Sequence, residues 1–336
     1  MMTKFINSPE NITAELLEGY VSAFSDQVAL GAENVVVRRN AKSEDKVAIV
    51  AFGGSGHEPA VSGFVGDGML DASVVGDIFA APGAQRLFGA LNMFKREAGI
   101  LLLVLNHSGD VMSGNMAVQL AERMGIKVAS IMTHDDISAG LDAADDDRRG
   151  LAGAVALYKV LGAAADAGKS LDELVEIGER LNNNLATLAV AMRSCSHPQN
   201  GATITELPEG MMQIGMGQHG EAGAGGSQPL VSADATAVEM IDLLIQKIGY
   251  VSGDKALLYI NGVGATTLME QFIIYRAAEK RLAEMGVEVV EGYAGEMLTV
   301  QEQAGFQMIT AKLDADHIDY IKNYPSNAPY WTRQGK

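Results

Sequence analysis

The segment that organises the chain is Lys46-Val47-Ala48-Ile49-Val50-Ala51-Phe52-Gly53-Gly54-Ser55-Gly56-His57-Glu58-Pro59. Its first half is an apolar run with several β-branched residues, which predicts a buried strand that ends at Phe52. The glycines that follow allow a tight turn and expose backbone N–H groups to a small polar ligand. Because open α/β sheets bind ligands at the carboxyl ends of their strands, His57 is a candidate site residue.

This loop does not match the known nucleotide-binding patterns. A P-loop needs a lysine directly after its last glycine, and no lysine stands near this loop. The dinucleotide pattern Gly-x-Gly-x-x-Gly fits only if Pro59 replaces its third glycine. The loop therefore favours a small hydroxylated molecule, and we expect this chain to bind no cofactor of its own.

Composition limits the class of protein and its partners. The chain has 336 residues, 48% of them hydrophobic, with 25 basic and 42 acidic residues and a net charge of −17. This length predicts two domains. The negative charge predicts no nucleic-acid partner and no membrane binding, because phosphate backbones and anionic lipids repel such a surface.

The single cysteine, Cys195, cannot form an internal disulfide, and no Cys or His cluster has metal-ligand spacing. We therefore expect no metal site and a reducing compartment. The N-terminus lacks the apolar core of a signal peptide, and the longest apolar run, Ile100 to Leu105, is too short to span a bilayer. Together these features predict a soluble cytoplasmic protein.

Strand, loop and helix patterns alternate along the chain, which is typical of parallel βαβ units. They predict an α/β fold of two domains with mixed, largely parallel sheets. We expect an N-terminal domain over 1–195, with its last helix at 171–191, and a C-terminal domain over 196–336. Prolines and glycines at 196–210 predict a linker.

The second half of the chain repeats a pattern of the first. The run Leu101 to Leu105, its helix and Met124-Gly125-Ile126 resemble Leu257 to Ile260, its helix and Met285-Gly286-Val287. This similarity suggests an internal duplication.

Three polar residues stand in glycine-containing loops at predicted strand ends: His57, Asp110 and His219. Singly, His57 could cap a helix, Asp110 could be the N-cap of a helix beginning at Val111, and His219 could be a plain loop residue. Together they suit proton transfer and attack by a neutral imidazole on a carbonyl, as a hydroxyketone site requires. A hydrolase or isomerase that uses His57 and Asp110 is the alternative from these residues alone.

A series of ordered motifs resembles the substrate-binding subunit of the dihydroxyacetone (glycerone) kinase family. The motifs are Gly53-Gly54-Ser55-Gly56-His57-Glu58-Pro59, Gly63-Phe64-Val65-Gly66, Gly68-Met69-Leu70, Asn106-His107-Ser108-Gly109-Asp110, Arg148-Arg149-Gly150, Gly217-Gln218-His219-Gly220-Glu221 and Gly264-Ala265-Thr266. The resemblance runs essentially from end to end.

The resemblance implies a role for each site residue. Gly54, Ser55 and Gly56 match the backbone cradle for the substrate, and His57 matches the histidine that assists the reacting hydroxyl. Asp110 matches the base on that hydroxyl. His219 matches the histidine that adds to the ketone as a hemiaminal, an anchor that would reject glycerol because glycerol has no carbonyl.

The resemblance also implies partners. In the family, the phosphoryl donor is held by a separate helical nucleotide-binding subunit or by a fused second half of the same chain. This partner carries Mg²⁺ together with either ATP or a bound ADP that a phosphotransferase-system protein rephosphorylates. We therefore expect a homodimer that acts as part of a phosphotransferase with an alcohol group as acceptor.

One position departs from the family pattern: Leu105 stands where the family has a substrate-contacting lysine, and His107 replaces a tyrosine. Losing the cation removes a charge-assisted hydrogen bond of about 1.5 to 3 kcal/mol. Leu105 and His107 are therefore candidate pocket residues. Two alternatives to a dihydroxyacetone kinase subunit therefore stay open. The chain could serve a kinase for a larger ketose such as erythrulose, or it could be a ketose-binding co-regulator of transcription.

Overall fold

The computed structural model of the protein describes residues 4–223 and 226–335. Within them the helices are α1 (Ile12–Ala23), α2 (Ala84–Met93), α3 (Ser108–Arg123), α4 (Ala154–Asp166), α5 (Leu171–Asn182), α6 (Ala233–Ile248), α7 (Leu268–Glu284) and α8 (Ala315–Lys322). The strands are β1 (Val28–Leu30), β2 (Val35–Arg38), β3 (Ala48–Ser55), β4 (Ala72–Ile78), β5 (Ile100–Leu105), β6 (Val128–Thr133), β7 (Leu185–Arg193), β8 (Met211–Ile214), β9 (Gln228–Pro229), β10 (Lys255–Gly262), β11 (Glu288–Glu296), β12 (Ala304–Lys312), β13 (Ser326–Ala328) and β14 (Trp331–Arg333). Across this part of the chain, no helix has the length and apolar character needed to cross a bilayer.

The chain folds into two units, and neither is a single continuous segment. The glycine-loop unit contains the chain through Thr133, Ala154–Arg180 and the segment from Asp319 onward. The His219 unit contains His134–Gly153 and Leu181–Ile318. The sequence predicted two continuous domains with one boundary between residues 195 and 196, whereas the chain crosses between the two units several times.

The glycine-loop unit is built on a six-stranded sheet of order β1-β2-β4-β3-β5-β6. Strands β4, β3, β5 and β6 are parallel, and β1 and β2 are antiparallel additions. Strands β3 and β5 are almost continuously apolar because both of their faces are buried. The chain passes from β3 to β4 on one side and then to β5 on the other. Strand order therefore reverses between β3 and β5, the place where α/β sheets bind ligands.

The His219 unit is built on a second six-stranded sheet, of order β11-β10-β12-β7-β8-β9. Strands β10 and β11 are parallel, and the other neighbours are antiparallel. Its core places buried residues of α6 and α7, such as Met240 and Ala278, against strand residues such as Leu188, Leu258 and Met308. The predicted α/β class with mixed sheets is confirmed.

The helix predicted over 171–191 is wrong in its second half. Helix α5 ends at Asn182, and Leu185–Arg193 is strand β7. An alanine-rich apolar run fits a buried strand as well as a helix, so the pattern alone does not separate the two. Strand β7 pairs with β12 along one edge and with β8 along the other, and that pairing determines its conformation.

The pairing of β7 also explains the segment 196–210. Because β7 and β8 are neighbours in one sheet, with Val190 opposite Ile214, this segment is a connection between two strands of the His219 unit. Its prolines and glycines therefore mark a loop within a unit.

The two copies of the repeated sequence pattern adopt the same arrangement. Strand β5 is followed by α3 and by β6, which pairs parallel to β5. Strand β10 is followed by α7 and by β11, which pairs parallel to β10. Each unit thus contains a copy of this strand, helix and parallel strand arrangement, as an internal duplication would require.

Candidate functional site

Strand β3 continues past the predicted end at Phe52 through Gly54 to Ser55, and the chain at and directly after its end has a conformation that only glycine permits at two positions. A Cβ on Gly54 would lie 2.6 Å from the backbone nitrogen of Ala80, and Gly56 has a φ of +97°. The hydroxyl of Ser55 donates to the carbonyl of Gly76 at 2.7 Å, so this side chain ties the loop to β4. The predicted cradle is therefore held tightly against the neighbouring strand.

His57 follows this loop as a buried side chain. It is 5% exposed, and its ring centroid lies 5.0 Å from that of Phe79. Phe79 has a φ of +56°, a left-handed conformation that is rare for a bulky residue, and its N–H donates to the carbonyl of Ser55. Such conformations concentrate at functional sites. The sequence offered no signal for Phe79.

Glu58 stabilises the turn that presents His57. Both of its carboxylate oxygens accept a hydrogen bond from the N–H of Gly56 at 3.1 Å. Burial raises the pKa of Glu58, and the bonds from the backbone oppose that effect.

Asp110 is the third residue of α3, and its carboxyl is buried, with 9% of the residue exposed. Helix α3 begins at Ser108 with His107 as its N-cap residue, so the alternative role of Asp110 as N-cap is wrong. Burial raises the pKa of Asp110 to about 7, and its Oδ1 has no hydrogen-bond partner among the described residues. A carboxylate with such a pKa is a competent general base near neutral pH.

His57 and Asp110 lie at the same edge of one sheet. They follow β3 and β5, which are adjacent and parallel, with Ala51 opposite Leu103. This edge is also where the strand order reverses, so the structure brings these two predicted residues to the expected ligand site of the unit.

The two candidate pocket residues stand between β5 and α3. Leu105 ends β5, is 5% exposed and points to the face opposite that of Val104. His107 is partly exposed and has the extended backbone of an N-cap residue. Their contribution to a substrate pocket stays a prediction.

His219 belongs to the other unit, in the loop between β8 and β9; Ala224 and Gly225 of this loop lie outside the described residues. Its N–H donates to Oε2 of Glu221 at 2.8 Å. Burial lowers the pKa of the His219 imidazole; Glu221 opposes this effect, and the positive charge of Arg149 adds to it. The net effect favours the neutral form of the imidazole.

Arg149 ties the His219 loop to the rest of its unit. Its Nε donates to Asp136 at 2.7 Å, its Nη1 to Glu221 at 2.7 Å and its Nη2 to the carbonyl of Gly215 at 2.9 Å. Arg149 and Glu221 belong to two of the motifs shared with the family, but the sequence alone implies no role for either residue. Their adjacency depends on a contact between residues 72 positions apart, which no local pattern reveals.

A cavity of about 390 Å³ lies on another side of the glycine loop. Gly53 and Gly54 line it together with apolar residues of α1, and its lining residues do not include His57 or Asp110. This cavity therefore contacts part of the predicted backbone cradle but neither His57 nor Asp110.

Comparison with known proteins places this geometry in context. The Dak1 domain model matches residues 18–329. The dihydroxyacetone-binding subunit DhaK of PTS-dependent dihydroxyacetone kinase 1 from Listeria innocua is 37% identical over 322 residues, which cover 96% of this chain and 98% of that protein. The L-erythrulose kinase of Pectobacterium atrosepticum is 34% identical over 332 residues, which cover 98% of this chain and 56% of that protein. Among solved structures, the dihydroxyacetone kinase operon co-activator Dha-DhaQ aligns with a TM-score of 0.89 at 30% identity, covering 95% of this chain and 98% of that one.

Proposed function

This chain belongs to the Dak1 domain family, and we propose that it is the ketose-binding subunit of a dihydroxyacetone-type kinase. The observation that carries the proposal is the buried carboxyl of Asp110, whose pKa of about 7 suits a base that deprotonates a substrate hydroxyl. The similarity to the Listeria innocua subunit extends over nearly the full length of both chains and supports the same assignment.

Capture of the substrate is assigned to His219. The unprotonated nitrogen of the neutral imidazole adds to the ketone carbon, and a C–N bond forms as the π bond of the carbonyl breaks. The oxygen takes up a proton to become the hydroxyl of a hemiaminal, and the other ring nitrogen releases its proton to solvent, so no net proton is consumed. The lowered pKa of His219 supports this role because only the unprotonated ring has a lone pair to donate.

Phosphoryl transfer is assigned to Asp110 and His57. Asp110 takes the proton of the terminal hydroxyl of the substrate. The oxygen of that hydroxyl attacks the phosphorus of the donor, and the bond from phosphorus to the donor's leaving group breaks. His57 hydrogen-bonds the same hydroxyl. The backbone of Gly54, Ser55 and Gly56 orients the substrate.

The phosphoryl donor belongs to a partner. We infer that a helical nucleotide-binding subunit brings ATP, or a bound ADP that a phosphotransferase-system protein recharges, with Mg²⁺. The chain itself acts as a homodimer in the cytoplasm and is one part of a phosphotransferase with an alcohol group as acceptor.

The test is carbon NMR of dihydroxyacetone labelled at its carbonyl. Mixed with the protein, the ketone resonance should move to the tetrahedral region, and it should stay in place with the His219→Ala variant. His197→Ala removes another partly exposed histidine of the same unit and should capture the ketone normally. A ketone resonance that stays unchanged with the unmodified protein would exclude covalent capture.

A second substrate is favoured by Leu105. A buried apolar side chain at the end of β5 provides no charge-assisted hydrogen bond to a small triose, and a ketose with one more carbon would offer it more apolar contact. The similarity to an L-erythrulose kinase agrees with this alternative. Labelled erythrulose in the same experiment decides between the two ketoses.

A non-catalytic role as co-regulator is the third candidate, and the similarity to the co-activator Dha-DhaQ favours it. A sensor needs the carbonyl anchor and has no use for a base on the hydroxyl. Phosphorylation of the captured ketose in the presence of a nucleotide-binding partner subunit would therefore support the kinase, and capture without phosphorylation would support the co-regulator.

A further inference from the structure

The side chain of Arg149 donates hydrogen bonds to four residues that lie in or next to the His219 loop. Besides Asp136, Glu221 and the carbonyl of Gly215, its Nη2 donates to the hydroxyl of Ser138 at 3.0 Å. The side chain of Asp136 is 2% exposed, so the guanidinium is anchored to a buried carboxylate. A guanidinium held in this way is fixed in position by its hydrogen bonds, and it stays positively charged.

Glu221 connects this anchor to His219. Its Oε1 accepts from Arg149 and its Oε2 accepts from the N–H of His219 at 2.8 Å, while its carbonyl accepts from the N–H of Gly217 at 2.9 Å. A Cβ on Gly217 would overlap both the Glu221 carboxylate and the Arg149 guanidinium. The bare backbone of Gly217 is therefore required for the ion pair to lie against the turn.

We propose that Arg149, anchored by Asp136, is a positioning residue for His219: it fixes the nucleophile's loop through Glu221 and cancels the negative charge of Glu221, which would otherwise favour protonation of the imidazole. This inference rests on the proposed role of His219 in ketone capture. In this role Arg149 acts on His219 through Glu221 and not on the ketone itself.

The charges around His219 come from two segments. Glu221 lies on its own loop, and Arg149, with Asp136 behind it, lies on the segment that follows β6. The buried thiol of Cys195 lies near Gly220, where a Cβ would be 3.0 Å from the sulfur. Removing Arg149 leaves two unneutralised carboxylates beside the loop, so His219 should bind a proton at higher pH.

The experiment follows the protonation of His219 directly, by NMR titration of the full chain without ketone. In Arg149→Met the midpoint should rise by about one pH unit or more, which is a tenfold change in proton affinity. Arg149→Lys keeps the charge and should titrate near the unmodified protein. Arg276→Met breaks an exposed ion pair with Asp234 on the same unit and is the matched control.

Ketone capture is then measured against pH in the same variants, as the fraction of labelled dihydroxyacetone that becomes tetrahedral. In Arg149→Met the lower pH limit of capture should move upward by the same amount as the His219 midpoint. If that variant fails to fold, Glu221→Gln provides the test: it keeps the shape, removes the negative charge and should lower the midpoint. Unchanged midpoints in every folded variant overturn the proposal. Midpoints that move as expected without capture of any ketone overturn the proposed function and leave the role of Arg149 intact.

Discussion

Replacing Asp110 with Asn should stabilise the folded protein at alkaline pH while it abolishes phosphoryl transfer. The carboxyl lies in the first turn of α3, 9% exposed, and its burial raises the pKa from the ordinary 3.8 to about 7. A raised pKa means that the folded state holds its proton more tightly than the unfolded chain does. The contribution of the protonated Asp110 carboxyl to the free energy of unfolding is therefore fully present below pH about 4 and is lost as the pH rises to about 7.

The magnitude follows from the two pKa values. A difference of about three pKa units, at 1.36 kcal/mol per unit, corresponds to about 4 kcal/mol of destabilisation once the folded carboxyl is ionised. Asn is neutral and nearly isosteric, so it behaves as a carboxyl that stays protonated. We expect Asp110→Asn to exceed the unmodified protein in free energy of unfolding by about 4 kcal/mol at pH 8 and by only about 1.5 kcal/mol at pH 5.

The assay is urea unfolding followed by the fluorescence of Trp331. This is the single tryptophan of the sequence, it is 3% exposed, and it belongs to the same unit as Asp110. The signal therefore reports on the unit that contains the substitution. Ketone capture and phosphoryl transfer with the partner subunit are measured on the same samples.

The matched control is Asp172→Asn, which changes an exposed aspartate in the first turn of α5 in the same unit. It removes a favourable charge from a helix N-terminus and should destabilise slightly, by about 0.3 to 1 kcal/mol. A stability difference for Asp110→Asn that is the same at pH 5 and pH 8 would show that its pKa is not raised. Full phosphoryl transfer in that variant would remove Asp110 from the mechanism.

Two further substitutions test the glycine loop and the pocket. Gly54→Ala should destabilise the protein by about 1 to 3 kcal/mol, because its Cβ would lie 2.6 Å from the backbone nitrogen of Ala80. Gly109→Ala, whose Cβ meets only an ordinary contact at 3.7 Å, should be neutral or slightly stabilising; equal urea midpoints for both variants would contradict the tight fit. Leu105→Lys should raise affinity for dihydroxyacetone about tenfold or more over erythrulose by restoring a charge-assisted hydrogen bond. Competition between the two labelled ketoses checks this preference, and an unchanged ratio would exclude Leu105 from the pocket.

Much of the fold was predictable because continuous apolar segments of the sequence form its central strands. The runs that became β3, β5 and β10 are buried on both faces and carry no competing helical pattern. The capping pattern at Thr267 and Glu270 likewise agrees with the predicted helix that became α7. The family resemblance is confirmed by the Dak1 domain match over residues 18–329.

The candidate site was predictable in part. Glycines at Gly54 and Gly56 predicted a tight turn, and the structure places Gly54 in the last part of β3 and Gly56 directly after it. The strand ends indicated where His57 and Asp110 would lie, and these two residues follow the neighbouring parallel strands β3 and β5, with Asp110 in the first turn of α3. The roles of these residues in chemistry stay predictions. Phe79 and Arg149 were not assigned, because no local pattern distinguishes a left-handed phenylalanine or a bridging arginine from ordinary ones.

The sequence by itself determined which segments are apolar strands, where glycine must stand and which polar groups follow strand ends. All three depend on the properties of neighbouring residues along the chain. The tertiary structure decided that Leu185–Arg193 is a strand, that the Asp110 carboxyl titrates near neutrality, and that Asp136, Arg149 and Glu221 form one ion-paired chain under His219. Each of these depends on strand pairing, burial or charge contact between residues distant in sequence, which arises only when the fold brings those segments together.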